Sequence, residues 1–179
     1  MPRYRCNLET RFGPVLLASD GEHLTGFWFE GQKDFPAQDP GAIDDPGAAP
    51  FPEVRAQFAA YEAGQRRGFD LPVAFSGGTP FQRAVWHALL EIPQGRTVSY
   101  AQLAVRIGRP KAVRAVGAAV GKNPISVIVP CHRVVGTNGT LTGYAGGVDR
   151  KRALLLLEDA LPVASSATTP LVNSQASQS

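Results

Sequence analysis

SYAQLAVRIGRPKAVRAVGAAVGK, residues 99–122, decides the fold of the second half of this chain, because it reads as two helices around a tight turn. Ser99 is a good N-cap for a first helix carrying Leu103 and Ile107, Gly108-Arg109-Pro110 interrupts it, and a second helix is predicted from Lys111 to about Lys122. The pattern is a helix-turn-helix. At about 100° per residue, Val113, Val116 and Val120 share one side of the second helix, while Lys111, Arg114, Ala115, Ala118 and Lys122 share the other. The valines must face a core. The outer side sets small residues between positive charges and lacks the Asn, Gln and multiple Arg side chains that read base edges in a major groove. It suits a close backbone approach to a duplex, with lysines on phosphates and one residue inserted from the minor groove.

Downstream, Asn123-Pro124 ends the helix and the apolar run Ile125-Ser126-Val127-Ile128-Val129 is predicted as a strand, closed by Pro130-Cys131-His132-Arg133. A thiol beside a potential base at a strand end fits a nucleophile, since a neighbouring His or fixed positive charge such as Arg133 lowers a thiol pKa. Adjacent strand residues point to opposite faces, so a water or a local bend must carry the proton between Cys131 and His132. For the bare pair alone, a small buried hydrophobe beside a structural histidine is the commoner arrangement. Further on, Asn138-Gly139 predicts a tight turn, and the glycines of Gly143-Tyr144-Ala145-Gly146-Gly147 let backbone amides approach a flat ligand. Asp149 is expected to cap a last helix running through the leucines to Glu158, whose place at a helix C-terminus, unfavourable for an anion, predicts an outside partner.

Upstream, Val15–Ala18 and Leu24–Phe29 read as strands around Asp20-Gly21, residues 30–52 with five prolines as an irregular connection, and Pro52–Ala63 as a helix burying Val54, Phe58 and Tyr61. Thr79 with Pro80 opens another helix through Val85, Trp86, Leu89 and Leu90. The expected fold class is α/β: a small N-terminal sheet-and-helix domain over residues 1–76 of structural role, a mainly helical winged-helix-like domain over 77–160, and a disordered tail over 161–179. The 179 residues, 44% of them hydrophobic, can bury a substantial core, and the net charge of +3 permits a nucleic-acid partner without demanding one. Cys6 and Cys131 are the only cysteines and form no disulfide framework, which suits a reducing compartment. No apolar run follows Met1–Cys6 or approaches membrane-spanning length, so a cytoplasmic protein with no membrane partner is expected.

Three segments together, Arg-Ala-Val-Gly-Ala-Ala-Val-Gly-Lys-Asn-Pro from Arg114, Pro-Cys-His-Arg-Val-Val from Pro130, and Gly-Thr-Leu-Thr-Gly-Tyr-Ala-Gly-Gly from Gly139, closely resemble the 6-O-alkylguanine-DNA alkyltransferases, also called methylated-DNA–protein cysteine methyltransferases. The resemblance is dense from about Phe81 to Glu158 and loose before that. It implies irreversible transfer of an alkyl group from O6 of guanine in duplex DNA to Cys131, without a cofactor, by a monomer. It also implies a Cys131–water–His132–Glu158 relay, with Asn123 tying the helix end to the active-site backbone. Tyr100 would help rotate the nucleotide and donate a hydrogen bond to the departing base, and Arg114 would fill the stack, flanked by Lys111, Ala115, Ala118 and Lys122 on the DNA. Val134, Gly143, Tyr144, Ala145 and Gly146 would form the alkylguanine pocket.

The chain departs from the family pattern in three places. Ser126 stands where relatives carry a second proline, Ala145 where some carry serine, and only Cys6 and His23 remain where some members bind zinc, so no metal site is expected. Two other functions compete. A winged-helix regulator without chemistry accounts for the helix-turn-helix but not the Cys-His pair, and a thiol hydrolase accounts for the pair but not the helix.

Overall fold

A computed structural model describes residues 1–161; the expected tail therefore lies, from 162 onward, outside the described residues. Three strands, β1 (Tyr4–Thr10), β2 (Gly13–Ser19) and β3 (Leu24–Phe29), form an antiparallel meander, and the two-residue β4 (Ile43–Asp44) joins it parallel to β1, in the order β3-β2-β1-β4. The first of these was missed in the sequence, although Tyr4, Cys6 and Leu8 alternate with Arg5, Asn7 and Glu9 as a half-buried strand requires. Helix α1 (Phe51–Glu62) buries Phe51, Val54, Phe58 and Tyr61, which helical spacing places on one face. Phe27 of β3 meets Phe58 at 5.3 Å between ring centroids, and Phe58 and Phe69 flank Tyr61 at 5.5 and 5.0 Å.

Helix α2 (Pro80–Leu89) starts at Thr79 and α3 (Tyr100–Arg106) at Ser99, both with reciprocal capping boxes in which Gln82 and Gln102 return the bond. Helix α4 (Val113–Gly121) begins two residues later than expected, because the Ala112 N–H closes a turn onto Arg109, which leaves Lys111 before the helix. Its inner face follows the valine pattern: Val116 and Val120 are buried and Val113 packs against the core. Trp86 of α2 donates its indole N–H to Ala119 across that contact, at 2.8 Å. Two short parallel strands, β5 (Val98–Ser99) and β6 (Val134–Val135), pair in the second half, and α5 (Val148–Leu157) closes the chain. Gly147, at φ 93°, is the N-cap of α5 rather than Asp149, which sits inside the first turn where its charge still meets the helix dipole.

The apolar run before Cys131 is not a strand. Only Ile125 bridges, to Phe27, and the chain then folds into a compact turn in which the Val129 N–H returns to Ile125 O at 3.0 Å. Pro124 and Pro130 bound it, and Val127 takes φ 68°, a left-handed conformation that a β-branched residue holds only when its surroundings impose it. The same Ile125 contact joins the halves: β3 accepts a bond from Ser126 N and donates one to Pro124 O, both at 2.9 Å, and the hydrophobic core runs through both without a break. No helix among the described residues is long and apolar enough to cross a membrane.

Candidate functional site

Asn123 builds the platform under Cys131. Its side-chain amide donates to Val129 O at 2.8 Å and its carbonyl accepts from Ile125 N at 3.0 Å, so one buried side chain staples both ends of the left-handed turn. Replacing it by alanine should leave a buried N–H and a buried C=O without these partners, which at typical desolvation costs lowers stability by about 2–4 kcal/mol. Denaturant unfolding of Asn123→Ala checks this. A faster reaction of Cys131 with iodoacetamide should accompany the loss, because the turn that carries Val127 then lacks both side-chain bonds that brace its ends.

Cys131, His132 and Arg133 form a single 3-10 turn, and all three are buried. This replaces the extended geometry expected from the sequence, and it corrects the role given to Arg133. That guanidinium turns away from the thiol: Nε and Nη2 donate to Glu158 Oε1 and Oε2 at 2.8 and 3.0 Å, and Nη1 donates to Ile92 O at 2.7 Å. The charge facing Cys131 is Lys151, fully buried on α5, whose Nζ donates to Thr142 O at 2.8 Å. Burial lowers Lys151 to a pKa of about 8, with Cys131 acting in the opposite direction. The cysteine does not rest as a thiolate. Burial pushes its pKa up, and the Asn123 amide and Lys151 oppose this without overturning it.

Glu158 is fully buried, and its outside partner is now plain. His132 Nε2 lies 2.8 Å from Oε2, beside the two arginine bonds. Burial alone would raise this carboxylate, but His132 and Arg133 outweigh it and hold Glu158 near a pKa of about 2. An ionised carboxylate only accepts, so Nε2 must carry the imidazole proton and Nδ1 the lone pair. Burial also lowers the His132 pKa, against the pull of Glu158, so the ring stays neutral at neutral pH. Nδ1 is buried with no hydrogen-bond partner among the described residues, and the Tyr144 hydroxyl is in the same condition. A neutral imidazole with an unpartnered Nδ1, on the residue that follows a buried thiol, has the chemistry a base requires.

The glycine loop packs over this centre. Arg150 donates to Phe12 O and Gly146 O at 2.7 and 2.9 Å, the Lys33 N–H donates to Ala145 O at 3.0 Å, and so the N-terminal sheet pins the loop from outside. A β-carbon on Gly146 would lie 2.7 Å from the Tyr144 ring, so the bare backbone there is a packing requirement. Gly143 is exposed, Tyr144 and Ala145 half-buried and Val134 fully buried in β6. Tyr100, at the start of α3, lies between the loop and α4: its hydroxyl reaches Thr142 O and Gly143 O only at 3.4 and 3.5 Å, while its ring lies close to Gly117.

On α4, Arg114, Ala115 and Ala118 are exposed, and Arg114 pairs with no carboxylate among the described residues. Lys111 is exposed in the preceding turn, and Lys122 makes a surface ion pair with Asp34 at 3.1 Å, a contact weak enough to exchange for a phosphate. An open groove of about 900 Å³ lies elsewhere, over the N-terminal sheet at Trp28, and the arginines lining it are already paired with Asp39 and Asp44. Among the described residues no group of His, Cys, Asp and Glu could hold a metal ion. Lys151, the buried charge that acts on Cys131, was passed over in the sequence. A signal existed, since 151, 154, 155 and 158 fall on one face of α5 and a lysine among leucines there has to be buried.

Two family models match, the ribonuclease-like domain of 6-O-methylguanine DNA methyltransferase over residues 4–75 and its DNA binding domain over residues 80–160. Methylated-DNA–protein-cysteine methyltransferases from Methanosarcina acetivorans and Mycobacterium tuberculosis are 47% and 48% identical, over 87% and 88% of this chain and 97% and 93% of theirs. A crystal structure of Mycobacterium tuberculosis OGT in complex with DNA superposes with a TM-score of 0.81 at 46% identity, covering 88% of this chain and 93% of that one.

Proposed function

The chain belongs to the 6-O-methylguanine DNA methyltransferase family, and from that premise we propose that Cys131 accepts the alkyl group from O6 of a guanine rotated out of duplex DNA. The protein binds DNA and acts in direct-reversal repair, moving the methyl group of methylated DNA to a protein cysteine. The observation that carries the assignment to Cys131 is the His132 ring: Glu158 fixes its proton on Nε2, so Nδ1 is left as the base beside a buried thiol.

The Cys131 proton passes through a water to His132 Nδ1, and Glu158 steadies the imidazolium that forms. The sulfur attacks the alkyl carbon in line with the guanine oxygen. An S–C bond forms, the C–O bond breaks, and its electron pair leaves with the base. The base gains one proton, for which the Tyr100 hydroxyl is the donor at hand, and the proton held on His132 then returns through water to the tyrosine, so the proton that Cys131 lost ends on guanine. Lys151 lowers the cost of the thiolate in a water-poor site. Arg114, exposed and unpaired on the face of α4, occupies the space left by the rotated nucleotide, while Lys111 and Lys122 meet phosphates and Ala115 and Ala118 allow close approach. Val134 and the 143–146 loop wall the base. No step calls for a cofactor, one molecule suffices, and a cytoplasmic location agrees with a free thiol.

A thioether offers water no acyl carbon, so the protein is consumed. With methylated duplex in excess, the repaired guanine should plateau at one equivalent per protein molecule, and peptide mapping should find the methyl group on Cys131. Sustained turnover, or a methyl group on Cys6, overturns the proposal.

A further inference from the structure

The carboxylate behind the histidine has a third donor, and it comes from the other half of the molecule. Tyr61 of α1, 97 residues earlier in the chain, donates its hydroxyl to Glu158 Oε2 at 2.6 Å. That oxygen also takes His132 Nε2 at 2.8 Å and Arg133 Nη2 at 3.0 Å. Tyr61 is 1% exposed and its ring is held between Phe58 and Phe69. Such a short bond, to a charged acceptor and shielded from water, belongs to the strong class of hydrogen bond. Its phenol stays protonated, because burial and the adjacent carboxylate both raise its pKa.

We propose that Tyr61 is a positioning residue for the alkyl-transfer reaction: the N-terminal half supplies the hydroxyl that sets how strongly Glu158 holds the proton on His132. The inference rests on the relay reading given above and extends it to a residue outside the reactive motif. Oε2 shares its negative charge among three donors. Withdrawing the Tyr61 hydroxyl leaves more of that charge for the imidazole, so His132 becomes easier to protonate. A histidine already protonated cannot take the Cys131 proton. The acid limb of the rate profile therefore reports the strength of the Tyr61 bond. The ionisable and charged groups facing this centre are Cys131 and Arg133 on its own turn, Lys151 on α5, Tyr144 from the loop, Tyr61 on α1, and Arg11 beyond Tyr61. Only Tyr61 changes in the test.

The test is the pH dependence of methyl transfer from methylated duplex to the full chain, under single-turnover conditions. In Tyr61→Phe the midpoint of the acid limb should rise, by on the order of one pH unit, the scale of a hydrogen bond to a charged group shared between partners. With 3,5-difluorotyrosine at position 61, a stronger donor of nearly the same shape, the midpoint should fall. Phe58→Leu, which loosens the ring packing around Tyr61 without touching Glu158, should lower the melting temperature and leave the midpoint in place. If Tyr61→Phe leaves the midpoint where it is, or if the fluorinated chain shifts it in the same direction as phenylalanine, Tyr61 only packs and the inference is overturned. Should Tyr61→Phe fail to fold, the fluorinated chain alone decides. Failure of the relay itself looks different: the wild-type protein would then carry no methyl group on Cys131 or show no acid limb at all.

Discussion

Cys131→Ser is expected to transfer no detectable methyl group while binding methylated duplex within a few fold of the wild-type affinity. The nucleophile must be an anion at the moment of attack, and a serine hydroxyl is a far weaker acid than a thiol, so the same neutral His132 cannot ionise it to a useful extent. Binding survives because the exposed face of α4 carries Arg114, Ala115 and Ala118, whereas position 131 is buried in a turn that serine fits without crowding. Anisotropy with a labelled methylated duplex and intact-mass measurement after incubation read the two quantities separately. Transfer by the serine variant would remove Cys131 from the mechanism. Affinity lost along with activity would mean that the turn, rather than the sulfur, had been disturbed.

Glu158→Gln is expected to be the most destabilising conservative change in the molecule. Three donors converge on Oε2 and a fourth on Oε1, so either orientation of the amide sets its NH2 group against a donor. Arg133, only 5% exposed, then keeps its charge without a counter-charge. Breaking a buried pair from one side costs about 3–5 kcal/mol, and for a domain of this size each 1 kcal/mol moves Tm by about 2–4 °C, so calorimetry should show a fall of roughly 10 °C. The pH dependence supplies a second signature. Glu158 is drawn from its ordinary 4.5 down to about 2 in the folded protein, so its contribution is complete above 4.5 and disappears as pH falls from there through about 2. Stability of the wild type should drop steeply over that window, and the glutamine variant should lack this component. A variant as stable as wild type at pH 7 would show that the network holds nothing together.

The caps at Thr79 and Ser99 and the valine side of α4 were legible in the sequence because each is settled within a few residues by backbone geometry and side-chain period. Glu158 was legible for a similar reason, since an anion at a helix C-terminus calls for a partner. The run Ile125–Val129 was misread because β-branched residues favour strands, and what overrides them is an asparagine amide closing the turn from outside the run. Arg133 was misread as an activator of Cys131. Proximity along the chain says nothing about which neighbour a long side chain will choose, and a buried carboxylate was the stronger attraction. Tyr61 could not be linked to Glu158 at all, because its helical pattern accounts for the ring and is silent about the hydroxyl.

Several contacts that brace the reactive turn, the glycine loop and α5 come from earlier in the chain: Phe27 pairs with Ile125, Lys33 holds Ala145, Phe12 takes Arg150, and Tyr61 meets Glu158. A polypeptide is made from its N-terminus at about 5–20 residues per second, and domains tend to fold in that order. The mould is therefore cast before the part it shapes. By the time Cys131 leaves the ribosome, the sheet and α1 have had several seconds to form the surface against which a valine in a left-handed bend is to be held. The thiol then meets a surface already in place, and the loop and α5 that follow it complete its burial.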